Sequence, residues 1–183
     1  EEEWVSCFFD SVYHYGNLTA TKLNAEFRVV SQSGWGVLSG WDNNPSLVIP
    51  GIYDYTCASN VSEEGKKFGS LERYDFTSWQ PDFVMINLGT NDNSAFYNPE
   101  WVSTDGKLTH KLRLTEDGQK HPEDVKHFED AVTAFLMQVR QNNPSAVIIW
   151  CYGILGCDME QSILNGICRY QEQTDDKKVN YLH

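Results

Sequence analysis

The chain has 183 residues, enough for one domain with a hydrophobic core but cramped for two. Acidic residues outnumber basic residues by 26 to 14, so the formal net charge is −12. Such a surface repels phosphate backbones and anionic lipids, which argues against nucleic acid and membranes as partners. No apolar run approaches the roughly 20 residues that span a bilayer. We therefore expect a single domain over residues 1–183 that binds neither.

The first half of the chain predicts a helix, a strand and a long connection. Apolar residues recur at helical intervals over 11–24. The β-branched segment from residue 27 to residue 33 predicts the first strand, which ends at glycines 34 and 36. The connection over 37–80 is rich in Gly, Asn, Ser and Trp, with room for a short helical piece.

The second half alternates strands and helices. The first predicted elements are a strand over 82–88 buried on both faces and a polar excursion over 93–120 with turns at Asp105-Gly106 and Asp117-Gly118. They are followed by a helix with Pro122 near its first turn and Asn142-Asn143-Pro144 after its end, a strand over 146–151, a helix capped by Asp158 that runs to about Gln173, and a strand over 178–182. This alternation predicts an α/β fold, a three-layer α/β/α sandwich around a mostly parallel sheet. Because the order opens on a helix and closes on a strand, we expect the first strand and the C-terminal segment of such a domain to be missing.

Three of the predicted strands end in residues suited to chemistry. These strand ends are Ser33-Gly34-Trp35-Gly36, Gly89-Thr90-Asn91-Asp92 and Trp150-Cys151-Tyr152-Gly153. The carboxyl ends of parallel strands meet at one edge of a sheet, so we expect the three loops to gather there. A glycine turn with free backbone N–H groups and a nearby Asn amide can form an oxyanion hole. The alternative interpretation is that these are ordinary turn residues.

The Gly-x-Asn-Asp sequence that follows a buried strand resembles the third sequence block of the SGNH (GDSL) hydrolases. The loop over 33–36 resembles their second block, and the segments 18–26, 49–55 and 149–153 are similar to the carbohydrate esterase family 2 branch. This resemblance implies the flavodoxin-like SGNH hydrolase fold. It also implies deacetylation of polysaccharides such as xylan by a serine nucleophile, with no cofactor and no metal.

The resemblance assigns roles to several residues. Gly34 would donate its backbone N–H to the oxyanion and Asn91 its side-chain amide. Trp35 and Trp150 would line the cleft and bind the acetylated carbohydrate, whereas Asp92 would brace the loop. A polysaccharide substrate implies an extracellular or periplasmic location.

The sequence departs from the family at the nucleophile. The Gly-Asp-Ser block that supplies the nucleophile does not occur. Ser11, in Asp10-Ser11, is the alternative nucleophile, but a helix cap fits its position better, because Gly34 follows it too closely. We therefore expect this chain alone to lack the nucleophile.

The sequence departs from the family at the catalytic histidine as well. His183, at the end of the last predicted strand, precedes the position of the family's histidine, and we expect His14, His110, His121 and His127 to be surface or loop residues. The five cysteines show no zinc-like spacing. We therefore expect this chain alone to lack the catalytic histidine too. A non-catalytic carbohydrate-binding relative and a lipase or thioesterase of the same superfamily are the alternative functions.

Overall fold

The structure is a computed structural model that describes residues 12–183. The chain divides into two compact units, with the boundary along the sequence between Val30 and Ser31. The first unit contains the helix α1, Tyr15–Leu23. The His14 Nδ1 accepts a hydrogen bond from the Gly16 N–H at the start of α1, and Asn24 ends the helix in the left-handed region at φ 51°. The first predicted helix is confirmed over this shorter range. The candidate nucleophile Ser11 lies outside the described residues.

The strand predicted over 27–33 is wrong, because residues 25–32 have no regular secondary structure. Phe27, Val29 and Val30 are all exposed. Strand propensity measures how well a side chain fits a pleated, half-buried surface, and these side chains are not buried in that way. The prediction of one domain over 1–183 stays a prediction.

The second unit holds the remaining elements. They are α2 (Glu63–Lys67), β1 (Phe83–Ile86), α3 (Thr90–Tyr97), β2 (Trp101–Val102), β3 (Thr109–His110), α4 (Pro122–Asn142), β4 (Val147–Cys151), α5 (Glu160–Thr174) and β5 (Val179–Leu182), with short 3-10 turns at Ile49–Gly51 and Phe76–Ser78. β1, β4 and β5 form a parallel sheet in the order β1-β4-β5, with Ile86 opposite Trp150 and Trp150 opposite Tyr181. The predicted α/β class with a mostly parallel sheet is confirmed, as are the three predicted parallel strands.

The core lies between this sheet and the helices α4 and α5. Ile148 and Trp150 of β4 are fully buried, and the Phe135 ring of α4 packs edge-on to the Trp150 ring with their centroids 6.4 Å apart. The opposite face of the sheet is different, because Phe83 and Met85 of β1 are 62% and 49% exposed. The prediction that this strand is buried on both faces is therefore wrong. Its apolar run alternates between a covered face and an exposed one.

The segment predicted as a polar excursion contains the helix α3 and the antiparallel pair β2–β3. Both predicted turns are present, with Gly106 at φ 68° and Gly118 at φ 79°. The fully buried Asn43 holds this region. Its Nδ2 donates to the Ala95 and Pro99 carbonyls at 2.7 and 2.9 Å, and its Oδ1 accepts from the Leu112 N–H at 2.8 Å.

The helix α5 differs from its prediction only at its start. It begins at Glu160 after Met159, with no side-chain cap, so the predicted cap at Asp158 is wrong. The Asp158 carboxylate instead accepts from the Asn93 Nδ2 at 3.4 Å. Among residues 12–183, no helix is both long and apolar enough to cross a lipid bilayer.

Candidate active site

The loops that follow β1 and β4 meet at the carboxyl edge of the sheet. Gly89 precedes α3 with φ 124°, a backbone conformation that favours glycine. A Cβ on Gly89 would lie 3.2 Å from the Tyr152 ring and 3.2 Å from the Ile163 side chain. This close approach brings the start of α3 against the end of β4. Burial raises the pKa of the Tyr152 hydroxyl, which therefore stays protonated at neutral pH.

The fully buried carboxylate of Asp92 fixes the glycine loop. It accepts hydrogen bonds from the backbone N–H groups of Val37 (2.9 and 3.1 Å), Leu38 (2.7 Å) and Ser39 (3.1 Å). Burial raises the pKa of Asp92, and these backbone donors act in the opposite direction. The side chain is inaccessible and its lone pairs are occupied. Asp92 therefore braces the loop, as predicted.

Gly36 is required at the point where the loop meets this carboxylate. A Cβ at Gly36 would lie 2.1 Å from the Ser39 carbonyl oxygen and 2.5 Å from the Asp92 Oδ2. The Gly36 backbone also bridges to the following segment, because its N–H donates to the Leu47 carbonyl and its carbonyl accepts from Ile49. The loop therefore has no room for a side chain at this position.

Asn91 lies directly against the glycine loop. Its half-buried Nδ2 donates to the Trp35 carbonyl at 2.8 Å, which uses one of its two amide hydrogens. Within residues 12–183, the Gly34 N–H donates to no acceptor. The structure therefore brings the two predicted oxyanion donors into adjacent positions, each with a hydrogen to donate. Their catalytic role stays a prediction.

Trp41 is a candidate site residue that the sequence did not single out. Its N–H donates to the Gly34 carbonyl at 3.0 Å, and a Cβ on Gly34 would lie 2.8 Å from the Trp41 ring. The side chain is 49% exposed. The only signal in the sequence is a Trp in the turn-rich segment Ser39-Gly40-Trp41-Asp42-Asn43. Gly34, at φ 82°, lies under this ring.

The two predicted tryptophans have different positions. Trp35 is half-buried and packs against the core, and its role in binding substrate stays a prediction. Trp150 is fully buried, and its Nε1 donates to the Leu88 carbonyl at 3.1 Å. A side chain enclosed by the core presents no surface to a ligand. The prediction that Trp150 lines the cleft is therefore wrong, because its strand position directs the indole toward α4.

The described residues contain no hydrogen-bonded Ser–His pair. The Ser39 hydroxyl is fully buried and donates to the Gly40 carbonyl. Three of the histidines contact groups other than a serine: His14 caps α1, the His110 Nδ1 lies 2.9 Å from the Asn43 carbonyl oxygen, and the His183 Nδ1 lies 3.1 Å from the Glu160 Oε1. His121 precedes α4, and His127 is exposed on that helix. Residues 12–183 thus offer donors to a developing negative charge, and a serine attack needs a nucleophile in addition.

Comparison with known proteins gives a consistent set of relatives. An acetyl xylan esterase (Est2A) from Butyrivibrio proteoclasticus is 40% identical with a TM-score of 0.95, over 100% of this chain and 49% of that one. The cellulase/esterase CelE of Acetivibrio thermocellus is 26% identical over 177 residues, which are 94% of this chain and 17% of that protein. A family two carbohydrate esterase from Clostridium thermocellum, solved with cellohexaose, is 24% identical and shares the fold, with a TM-score of 0.68 over 100% of this chain and 46% of that one.

The chain therefore spans about half the length of these solved structures and less of the curated relative. No protein-family model matches it. The fold neighbours and the sequence relatives nevertheless agree with the resemblance drawn from the residues. That resemblance is confirmed: the sequence relatives and structural neighbours of this chain are carbohydrate esterases, some of them described as family two.

Proposed function

We propose that this chain is part of a serine-type ester hydrolase that removes acetyl groups from acetylated polysaccharides such as xylan. The observation that carries the proposal is the position of Asn91. Its amide lies against the carbonyl of Trp35, next to the unpaired Gly34 N–H, on a loop fixed by the buried Asp92. A rigid pair of donors at a strand end is suited to a tetrahedral oxyanion.

The chemistry follows from that geometry. A serine hydroxyl attacks the acetyl carbonyl while a histidine takes its proton, and the carbonyl oxygen acquires negative charge. Gly34 and Asn91 donate to that oxygen and lower the barrier without reorganising, because Asp92 already holds the loop. The tetrahedral intermediate then collapses, the sugar oxygen leaves with the proton returned by the histidine, and water hydrolyses the remaining acyl-enzyme to acetate and free serine. The serine and the histidine would be supplied by residues outside this 183-residue chain, unless Ser11 serves as the nucleophile.

Two features support a carbohydrate ester. The exposed ring of Trp41 and the half-buried Trp35 flank Gly34, and aromatic rings suit the apolar faces of sugars. The relatives include an acetyl xylan esterase and a cellulase/esterase. The relatives favour an ester hydrolase over a non-catalytic binding relative. The aromatic rings favour a sugar ester over the long acyl chain of a lipase or thioesterase substrate. A polymeric substrate places the protein outside the cytoplasm, in the extracellular space or the periplasm.

The proposal is tested by measuring acetate release from acetylated xylan. The samples are the purified 183-residue chain and any longer product of its parent gene that carries a Gly-Asp-Ser block. We expect release from the longer product and none from the 183-residue chain, because an oxyanion hole accelerates only an attack by a nucleophile held roughly 3 Å away. Preference for a long-chain acyl ester, or sugar binding without turnover, would favour an alternative function.

Ser11→Ala in the 183-residue chain is the control for the alternative nucleophile. Robust acetate release that disappears with this one substitution would identify Ser11 as the nucleophile. It would also contradict the assignment of the sequence blocks.

A further inference from the structure

Three potential metal ligands from three different elements meet beside the end of β4. Cys157 lies in the loop after β4, Glu160 in the first turn of α5, and His183 after β5. Their Sγ, carboxylate and imidazole nitrogen atoms all lie within 4.8 Å of one another. The separation of these residues along the chain shows that the tertiary fold creates the cluster.

The cluster is partly organised already. The His183 Nδ1 lies 3.1 Å from the Glu160 Oε1, and the His183 ring also approaches Gly153. Two of the three potential ligands are therefore already in contact with each other.

The absence of an arginine partner distinguishes this cluster from a second group of potential metal ligands among the described residues. His121, Glu123 and Asp124 also lie together at the start of α4, but the Arg113 guanidinium pairs with both carboxylates at 2.8 and 2.7 Å. The positive charge of Arg113 therefore offsets the negative charge of these two carboxylates. Among the described residues, His183 is the only basic side chain that forms an ion pair with the Glu160 carboxylate. Its negative charge is available to an added cation, in a protein with a net charge of −12.

We infer that Cys157, Glu160 and His183 bind a divalent transition-metal ion, with Zn²⁺ as the best match. Thiolate, imidazole and carboxylate are the ligands of Zn²⁺, at about 2.3 Å for sulfur and about 2.0–2.2 Å for nitrogen and oxygen. Ligands on a tetrahedral ion are roughly 3.5 Å apart, so small side-chain rotations close the cluster. Cys157 and His183 are exposed, which lets the ion enter and leaves the fourth position to water.

The test is cobalt absorption spectroscopy of the full chain in a non-chelating reducing buffer, with calorimetric titration of Zn²⁺ alongside. We expect one ion per chain and a thiolate-to-cobalt charge-transfer band. Cys157→Ser should remove that band and weaken Zn²⁺ binding by about tenfold or more, because the thiolate is the strongest of the three ligands. Binding should strengthen with rising pH, since coordination releases the thiol proton.

Cys168→Ser is the matched control, because Cys168 is an exposed cysteine on α5 that belongs to neither ligand cluster and whose thiol donates to Glu172. It should leave the band and the affinity unchanged. His183→Ala should weaken Zn²⁺ binding, whereas Glu123→Gln in the arginine-neutralised cluster should not. Absence of stoichiometric binding, or a band that survives Cys157→Ser, would overturn the inference. These readouts do not depend on ester hydrolysis and stay separate from the proposed function.

Discussion

At the scale of single residues, Asn91 and Asp92 are neighbours in sequence with opposite tasks. Asp92 points into the protein and uses its oxygens on three backbone N–H groups of the glycine loop. Asn91 stays half-buried and keeps one amide hydrogen for an external acceptor. Successive positions in the first turn of a helix face different directions, so one short motif both builds the loop and presents a donor beside it.

Asn91→Ala in the longer, active product tests whether the Asn91 amide donates to the oxyanion. We expect the catalytic rate to fall by roughly 100-fold, because a donor to the oxyanion acts mainly in the transition state. KM and the thermal midpoint should change little, since only the hydrogen bond to Trp35 is lost from the folded state. Steady-state kinetics and a melting curve measure both.

Asn165→Ala is the control for that experiment, because Asn165 is an exposed residue of α5 whose side-chain amide donates to Glu129 of α4. It should leave turnover unchanged. If Asn91→Ala kept near-normal turnover, Asn91 would be a turn residue.

At the scale of elements, long periodic segments could be predicted and context-dependent ones could not. The helix α4 begins at Pro122 as predicted and ends at Asn142, one residue later than predicted, because its apolar face and the signals at both ends are encoded locally. The strand at 27–33 failed because a strand depends on partners that sequence does not show. The short helix α3 was missed because its polar sequence resembles a loop. Its support comes from Asn43, about fifty residues earlier in the chain.

The Arg140–Asp176–Tyr170 contact is a second long-range tie, and it joins α4 to the end of α5. The Asp176 Oδ2 accepts from the Arg140 Nε at 2.7 Å and from the Tyr170 hydroxyl at 2.8 Å. Burial raises the pKa of Asp176, but hydrogen bonds from the Lys178 N–H, Tyr170 and Arg140 outweigh burial and lower it. Because the pKa of Asp176 is lower in the folded state than in the unfolded state, this contact stabilises the fold at pH values above the unfolded-state pKa. The stabilisation is lost as the pH falls through the folded-state pKa.

Asp176→Asn should therefore lower the free energy of unfolding by about 1–3 kcal/mol at pH 7, since it removes charge-assisted hydrogen bonds from a mostly buried site. The deficit should shrink once the pH falls below about 4, the ordinary carboxyl pKa that applies in the unfolded chain, and should disappear as the pH falls through the lower folded-state pKa of Asp176. Urea unfolding of both proteins at several pH values measures this. Asp175→Asn is the matched control, because the Asp175 side chain is 88% exposed and pairs only with Lys177. Equal effects of the two substitutions would contradict the role of the buried contact.

At the scale of the whole molecule, the candidate site depends on distances that no local pattern contains. Asn91 and Gly34 could be predicted as site residues, because glycines and an asparagine at strand ends are visible in sequence. Trp150 was misplaced because a strand pattern does not say which face a particular side chain takes at its end. Trp41 was missed, since only the fold brings it over Gly34.

The sheet as a whole has one covered face and one apolar face that is open along β1. The strand register places Phe83 beside Val147 and Met85 beside Ile149, so these four apolar side chains share the face opposite α4 and α5. Phe83 and Met85 are 62% and 49% exposed, while Val147 and Ile149 are half-buried. A contiguous apolar patch of this kind binds hydrophobic dyes.

We therefore expect the purified 183-residue chain to enhance the fluorescence of anilinonaphthalene sulfonate while its far-ultraviolet circular dichroism remains that of a folded α/β protein. The double substitution Phe83→Ser and Met85→Thr should lower that fluorescence by about half, because it removes the exposed part of the patch. Phe68→Ser is the control: Phe68 is 88% exposed but stands alone after α2, where a single ring gives the dye little surface. An equal loss of fluorescence in Phe68→Ser, or no loss in the double variant, would show that the dye reports general loosening of the chain rather than this face of the sheet.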